Sequence, residues 1–341
     1  LESEQRVFAV GDVHGCATEL EALLRKMAPG RDDLVIFLGD YVDRGPDSAR
    51  VIDVILELET RCSVVGLWGN HELLFMDFLE RPESAGAGAF IMNGGSSTLA
   101  SYAGPGGSFD IPRGHIDFFK RLKLYHETNT HFFVHAGVPD IPLAQIDAKT
   151  HGAQMVWIRD PFLKSVFRWE KTIVHGHTPV NSPEVKPNRI NLDTGCVYDG
   201  TLTALDLSKM KFIHVEKGIK SQPAKMPFDG GEGARYAMRF QGRMPVRAGT
   251  VGGARREYET LNFNQFGLLI RDAGSVSLPT LRAGDAIEGE IGRGLEYLID
   301  FTGHVVRVEV RGAAPLYGIQ IDRVSSGAEG RYWIERPEVR K

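Results

Sequence analysis

Residues 6–27 read RVFAVGDVHGCATELEALLRKM: a short apolar run, a Gly-flanked polar loop, then apolar residues at helical spacing. The order recurs twice. DLVIFLGD at 33–40 precedes DSARVIDVILELE at 47–59, and SVVGLWGN at 63–70 precedes HELLFMDFLE. Three consecutive strand–loop–helix units predict an α/β layered fold with helices packed on a sheet. THFFVHAG (130–137), KTIVHGHT (171–178), RINLDTG (189–195) and TLTALDL (201–207) read as strands with little room for helices between them. They predict a second, mixed sheet against the first. The Gly-rich stretches 84–95 and 103–108 read as long surface loops beside a site.

Working outward, the texture changes near Val215. EKGIKSQPAKMPFDGGEGA at 216–234 is rich in Gly and Pro and lacks periodicity, so it reads as a linker between residues 1–215 and 235–341. Beyond it, alternating runs such as HVVRVEV and LYGIQID predict a small β-barrel or sandwich. The whole chain of 341 residues suits two such domains. Its 40 basic against 44 acidic residues exclude a general polyanion binder, and no nucleic-acid polymer is expected as a partner. No apolar run approaches the ~20 residues that span a bilayer, and the first ten residues lack the segments of a signal peptide. Cys16, Cys62 and Cys196 are odd in number and widely spaced, so a disulfide framework is not expected. These readings predict a cytoplasmic protein with no membrane partner.

Five loops at predicted strand ends concentrate polar residues: Gly11–Gly15, Gly39–Gly45, Gly69–Glu72, His135–Gly137 and His175–Thr178. Ligands collect at the carboxyl ends of strands in open α/β sheets, so these loops can converge. Mixed Asp, Asn and His donors suit Mn²⁺, Fe or Zn²⁺ better than Ca²⁺. Two such ions ~3.5–4 Å apart can hold a bridging hydroxide for in-line attack on phosphorus.

The conjunction GDVHG, GDYVDRG, GNHE, HAG and GHT resembles the phosphoprotein phosphatase family of dinuclear metallophosphatases, over roughly residues 6–215. Its bacterial branch and the symmetrical diadenosine tetraphosphate hydrolases belong to that resemblance. WIRDPF at 157–162 also looks like the bacterial branch. The resemblance implies a calcineurin-like α/β sandwich holding two divalent ions, with Mn²⁺ the first expectation. It implies Asp12 and His14 as ligands to the first ion, Asp40 as the bridge, and Asn70, His135 and His177 as ligands to the second. His71 would be the general acid and Asp43 its partner, while Arg44 and Arg159 would clamp phosphate. Glu72 would support the loop. His175 reads as a supporting or strand-end residue, and Asp193 as either a support or a turn cap. Cys16 reads as a small buried hydrophobe, and His115, His126, His131 and His151 as surface or packing residues.

Residues 235–256 carry six arginines and no acidic residue. Arg239 and Arg243 form RxxxR ahead of Asn262, Asn264 and Gly267, an order that resembles the PilZ domain. That resemblance implies a six-stranded barrel that binds cyclic di-GMP. Arginine forks match guanine edges and phosphates. Asn264 stands where the PilZ pattern has Ser, and Arg235/Arg239 and Arg243/Arg247 share the pair's spacing. The activity expected first is phosphoserine and phosphothreonine hydrolysis in proteins. The alternatives are hydrolysis of diadenosine tetraphosphate or related nucleotides, and a receptor or docking scaffold in which the phosphatase fold does no chemistry.

Overall fold

The computed structural model describes residues 5–82, 85–103, 110–218, 245–264, 267–272, 281–291, 299–311 and 314–326. The three repeated units are present: β1 (Val7–Val10) leads to α1 (Ala17–Met27), β2 (Leu34–Phe37) to α2 (Ser48–Glu59), and β3 (Ser63–Gly66) to α3 (Asn70–Glu80). In α1 the buried side chains Ala17, Leu20, Leu23, Leu24 and Met27 form one stripe. The Asp47 side chain caps α2 by accepting the Arg50 N–H.

Residues expected to be a loop instead form α4 (Ala85–Phe90) and a π-helical turn, Ile91–Gly95, that kinks at Gly94. The glycines there mark no loop, because the stretch carries a large apolar load. Phe90 is buried against the rings of Phe75 and Phe78, at 5.3 and 5.0 Å between centroids. Helices α5 (Ser96–Ser101), α6 (Arg113–Lys120), α7 (Ala148–Trp157) and α8 (Asp160–Leu163) follow. Strands β4 (Tyr125–Glu127) and β5 (His131–Val134) lie between α6 and α7, and β6 (Thr172–His175), β7 (Glu184–Lys186), β8 (Arg189–Asn191), β9 (Thr201–Asp206) and β10 (Lys211–Glu216) follow α8.

Two five-stranded sheets result, ordered β10-β9-β1-β2-β3 and β4-β5-β6-β8-β7. The second is mixed, as the sequence predicts. TLTALDL is the exception: as β9 it pairs antiparallel with β1 in the first sheet. A short apolar strand carries no mark of which sheet it will join, and its partner is set by register across more than 190 residues.

The core lies between the sheets. Ala9, Ile36, Leu38 and Leu205 from the first pack with Phe133, Val174, Ile190 and Leu192 from the second. Strands β1, β2 and β3 run parallel with Val10, Phe37 and Gly66 level, and β5, β6 and β8 are likewise parallel. This brings each set of loops to the same strand ends.

Strands β11 (Pro245–Thr250), β12 (Arg256–Asn264), β13 (Gly267–Asp272), β14 (Ala286–Ile291), β15 (Ile299–Arg311) and β16 (Ala314–Ser326) form a closed antiparallel barrel. Closure removes the exposed edges that an open sheet would leave. Alternate residues such as Val246, Ala248, Ile287, Val305 and Ile319 are buried, with the Tyr258 and Tyr317 rings meeting edge to face. The described residues divide into two compact units, one of 5–73 and 97–218, the other of 74–96 and the barrel strands. Arg239, Arg243 and most of the expected linker lie outside the described residues. Asn262 and Asn264 end β12, and Gly267 opens β13 opposite Asn264. No described helix is long and apolar enough to cross a membrane.

Candidate metal centre

Asp12 and His14 follow β1, Asp40 follows β2, Asn70 and His71 follow β3, His135 follows β5, and His177 follows β6. All seven are buried. Five of the motif residues, His14, Asp40, Asp43, Arg44 and His177, have φ between 45° and 72°, where L side chains are strained. Glycine lets the loops close on the carboxylates. A Cβ at Gly176 would strike Asp12 Oδ1, and one at Gly69 would strike Asp40 Oδ1.

Among the described residues the motif loops bring together two groups of donors, His14–Asp40–His71 and Asp40–His135–His177, with all ligand atoms of a group within 4.8 Å. Asp40 belongs to both. Its Oδ2 lies 3.4 Å from His14 Nε2, and its Oδ1 lies 3.4 Å from His135 Nε2.

These groups suit cations for a local electrostatic reason. His135 Nδ1 is 2.9 Å from the Leu38 carbonyl and therefore donates its proton there, which leaves Nε2 a bare lone pair. That lone pair faces Asn70 Oδ1 at 3.0 Å and His177 Nδ1 at 3.2 Å. His14 repeats the pattern: Nδ1 donates to Val42 O at 2.8 Å, so Nε2 faces Asp40 bare. Lone pairs converging in a buried site repel unless positive charge lies between them. Burial, reinforced by Arg44, lowers the His14 imidazole to about 3, and burial keeps His135 and His177 low too. The imidazoles are therefore held in the neutral, ligand-ready form. Burial pushes the Asp12 carboxyl well up, aided by Asp193 and Asp40, and takes Asp193 to about 6. This concentration of acid is one that bound cations would relieve.

The structure joins His71 to Asp43 through a 2.6 Å contact between Nδ1 and Oδ2, both side chains fully buried. His71 Nε2 is buried without a hydrogen-bond partner among the described residues, 4.0 Å from Asp40 Oδ2. Thr98, on α5, was not legible as part of the site. Its hydroxyl donates to Asp43 Oδ1 at 2.6 Å and accepts the Asp43 N–H at 2.8 Å. A buried hydroxyl acting across 55 positions leaves no local pattern to read.

Arg44 Nη1 sits 2.6 Å from His14 Nε2. The Arg159 charge also reaches the site, where it lowers His135 and His177. Asp193 caps its turn by accepting the Gly195 N–H at 3.0 Å. His175 takes part in neither donor group and packs edge-on against Phe162. Cys16 is buried, as expected, but it also brings its sulfur close to Cys196 and Glu19. His115 is a buried packing residue bonded to Tyr102 and Asp53.

Residues 5–211, more than half of the chain, match the profile of the calcineurin-like phosphoesterases. The chain belongs to that family. As a calcineurin-like phosphoesterase it is a hydrolase of phosphate esters, and the family uses divalent metals. The bis(5′-nucleosyl)-tetraphosphatase PrpE (asymmetrical) of Oceanobacillus iheyensis is 30% identical, over 62% of this chain and 92% of its own. The protein of the same name from Geobacillus thermodenitrificans is 29% identical, over 63% and 96%. The solved structure of a provisionally assigned diadenosine tetraphosphatase is 23% identical with a TM-score of 0.48, covering 63% of this calcineurin-like phosphoesterase and 95% of that chain.

Proposed function

We propose that this phosphoesterase hydrolyses dinucleoside tetraphosphates off-centre, giving a nucleoside triphosphate and a nucleoside monophosphate. The observation that carries the reading is the likeness, over 62–63% of this chain and 92–96% of theirs, to proteins named as asymmetrical bis(5′-nucleosyl)-tetraphosphatases. It favours the nucleotide alternative over phosphoserine and phosphothreonine, and asymmetrical over symmetrical cleavage.

In this reading Asp12 and His14 would hold one ion, Asn70, His135 and His177 the other, and Asp40, which belongs to both donor groups, would be shared between them. Mn²⁺ fits these donors, as do Fe and Zn²⁺. Bound cations supply charge to the phosphate oxygens and lower the pKa of water. Arg44 and Arg159 orient the polyphosphate by guanidinium forks. Burial raises Asp43 well above the carboxylate range and, with Arg44, lowers the His71 imidazole, so the pair prefers its uncharged form. The Asp43 proton then faces Nδ1, which places the imidazole proton on Nε2, the atom aimed into the site. As Nε2 gives its proton to the leaving oxygen, Nδ1 takes up the one from Asp43.

With Mn²⁺ present, diadenosine tetraphosphate is expected to yield ATP and AMP in equal amounts, and a chelator should abolish turnover. Anion-exchange chromatography of the products checks this. Two ADP would overturn the asymmetry, and faster turnover of a phosphoserine peptide with the dinucleotide left intact would overturn the substrate.

We further propose that the barrel is a PilZ-type module binding cyclic di-GMP. Closure with six antiparallel strands supports it, as does the register that sets Asn264, at the end of β12, opposite Gly267, at the start of β13. Calorimetric titration of the full chain should show binding that weakens about tenfold or more in Arg239→Ala or Arg243→Ala. No heat at high-micromolar ligand would leave the barrel without this role.

A further inference from the structure

Tyr198 is one of the few large apolar side chains exposed among the described residues, at 57%. It ends the one-turn helix Cys196–Tyr198, three residues after the loop that carries Asp193 and Thr194 has turned at Gly195. That turn is rigidly built. The Tyr198 and Gly200 N–H groups both donate to Gly195 O, at 2.9 and 3.0 Å, and Cys196 is buried beneath. Gly195 and Asp199, on either side, take left-handed φ of 64° and 65°.

The ring centroid lies 5.5 Å from the Arg44 guanidinium carbon, and Arg44 in turn touches His14 Nε2. One guanidinium therefore separates an exposed aromatic surface from the donor groups. A fixed, exposed ring beside a phosphate clamp has the chemistry of a stacking platform, since every nucleobase offers a π-face.

Off-centre cleavage makes the position informative. It leaves one nucleoside attached directly to the reacting phosphorus, with only a ribose between that phosphate and the base. The other base lies three phosphates further away. We propose that Tyr198 stacks the nucleobase nearer the scissile phosphate and so sets the asymmetrical register; this rests on the dinucleotide reading above. The plain alternative is that the ring only braces Arg44.

Bracing would act on every phosphorylated substrate, whereas stacking acts only on those that carry a base. Tyr198→Leu is expected to raise KM for diadenosine tetraphosphate about tenfold or more, the loss of one base–aromatic stack. KM for phosphoserine should move far less, and Tyr198→Phe, which keeps the ring, should restore the dinucleotide KM. Equal rises on both substrates would assign Tyr198 to Arg44 and overturn the stacking role. If the wild-type enzyme leaves the dinucleotide intact, the substrate reading fails, and inhibition of phosphoserine turnover decides the platform by itself. AMP inhibiting more tightly than ribose 5-phosphate in wild type and Tyr198→Phe, but not in Tyr198→Leu, would sustain it. No preference for AMP would sink it.

Discussion

His71→Asn is expected to lower kcat on an alkyl phosphate monoester such as phosphoserine by about 10²–10⁴-fold, the usual worth of a positioned general acid. The loss on diadenosine tetraphosphate should be smaller. An alkoxide is a poor leaving group and needs a proton as the bond breaks, whereas the oxygen leaving a phosphoanhydride carries its charge on phosphate. The geometry that motivates this ranking is specific to one atom. His71 Nδ1 is committed to Asp43 at 2.6 Å, while Nε2 is buried near Asp40 with no hydrogen-bond partner among the described residues. Asparagine removes the proton carried at Nε2 and keeps a polar group able to reach Asp43. Asp43→Asn should follow the same ranking with a smaller loss, because its amide N–H can still face Nδ1 and hold the tautomer but gives up no proton to the imidazole. Thr98→Val should fall in line behind it, since the hydroxyl fixes Asp43. Steady-state kinetics of each variant on both substrates, with metal content matched, provides the measurement. Equal losses on the alkyl ester and the anhydride would make His71 a binding residue instead of an acid.

The convergence of the motif loops was legible because each loop is short, flanked by Gly and attached to an apolar strand. The local chain alone says that Asp12, Asp40, Asn70, His135 and His177 leave the sheets at strand ends, and parallel register then gathers them. What could not be read depends on contacts across long separations. Thr98 reaches Asp43 from a helix that follows a Gly-rich turn, and Tyr198 meets Arg44 over more than 150 residues. The Gly-rich stretch near residue 90 misled for a related reason. Loop chemistry and a tightly packed helix both use small residues, and only the burial of Phe90 between other rings separates them. The barrel's period-2 alternation was plain, whereas its closure needs β14 to pair with β11, which no local pattern announces.

Glu72→Ala is expected to cost at least about 3–5 kcal/mol of folding stability and to empty the metal centre. Glu72 supports the loops around the centre, and its hydrogen bonds show how. The fully buried carboxylate accepts four backbone N–H groups: Asp40 at 2.9 Å, Tyr41 at 2.8 Å, Val42 at 3.3 Å and Gly69 at 3.0 Å. It thereby ties the loop after β2 to the loop after β3, the two that carry Asp40 and Asn70. Burial and the neighbouring Asp40 push the carboxyl up to about 8, while the four donors favour its ionised form. Alanine leaves those N–H groups buried without acceptors, at about 1–3 kcal/mol for each that water cannot reach. Partial relaxation keeps the total below the full sum, but it remains a large share of the ~5–15 kcal/mol that holds a typical protein folded. Glu72→Gln separates the possible causes. It keeps the volume and one oxygen but turns an NH₂ group toward N–H donors, so its loss should be intermediate. Denaturant titration of both variants, paired with elemental analysis of the purified protein, measures the two effects together. A loss below about 1 kcal/mol in Glu72→Ala, with both metals retained, would mean that the loops hold their strained φ values without the carboxylate.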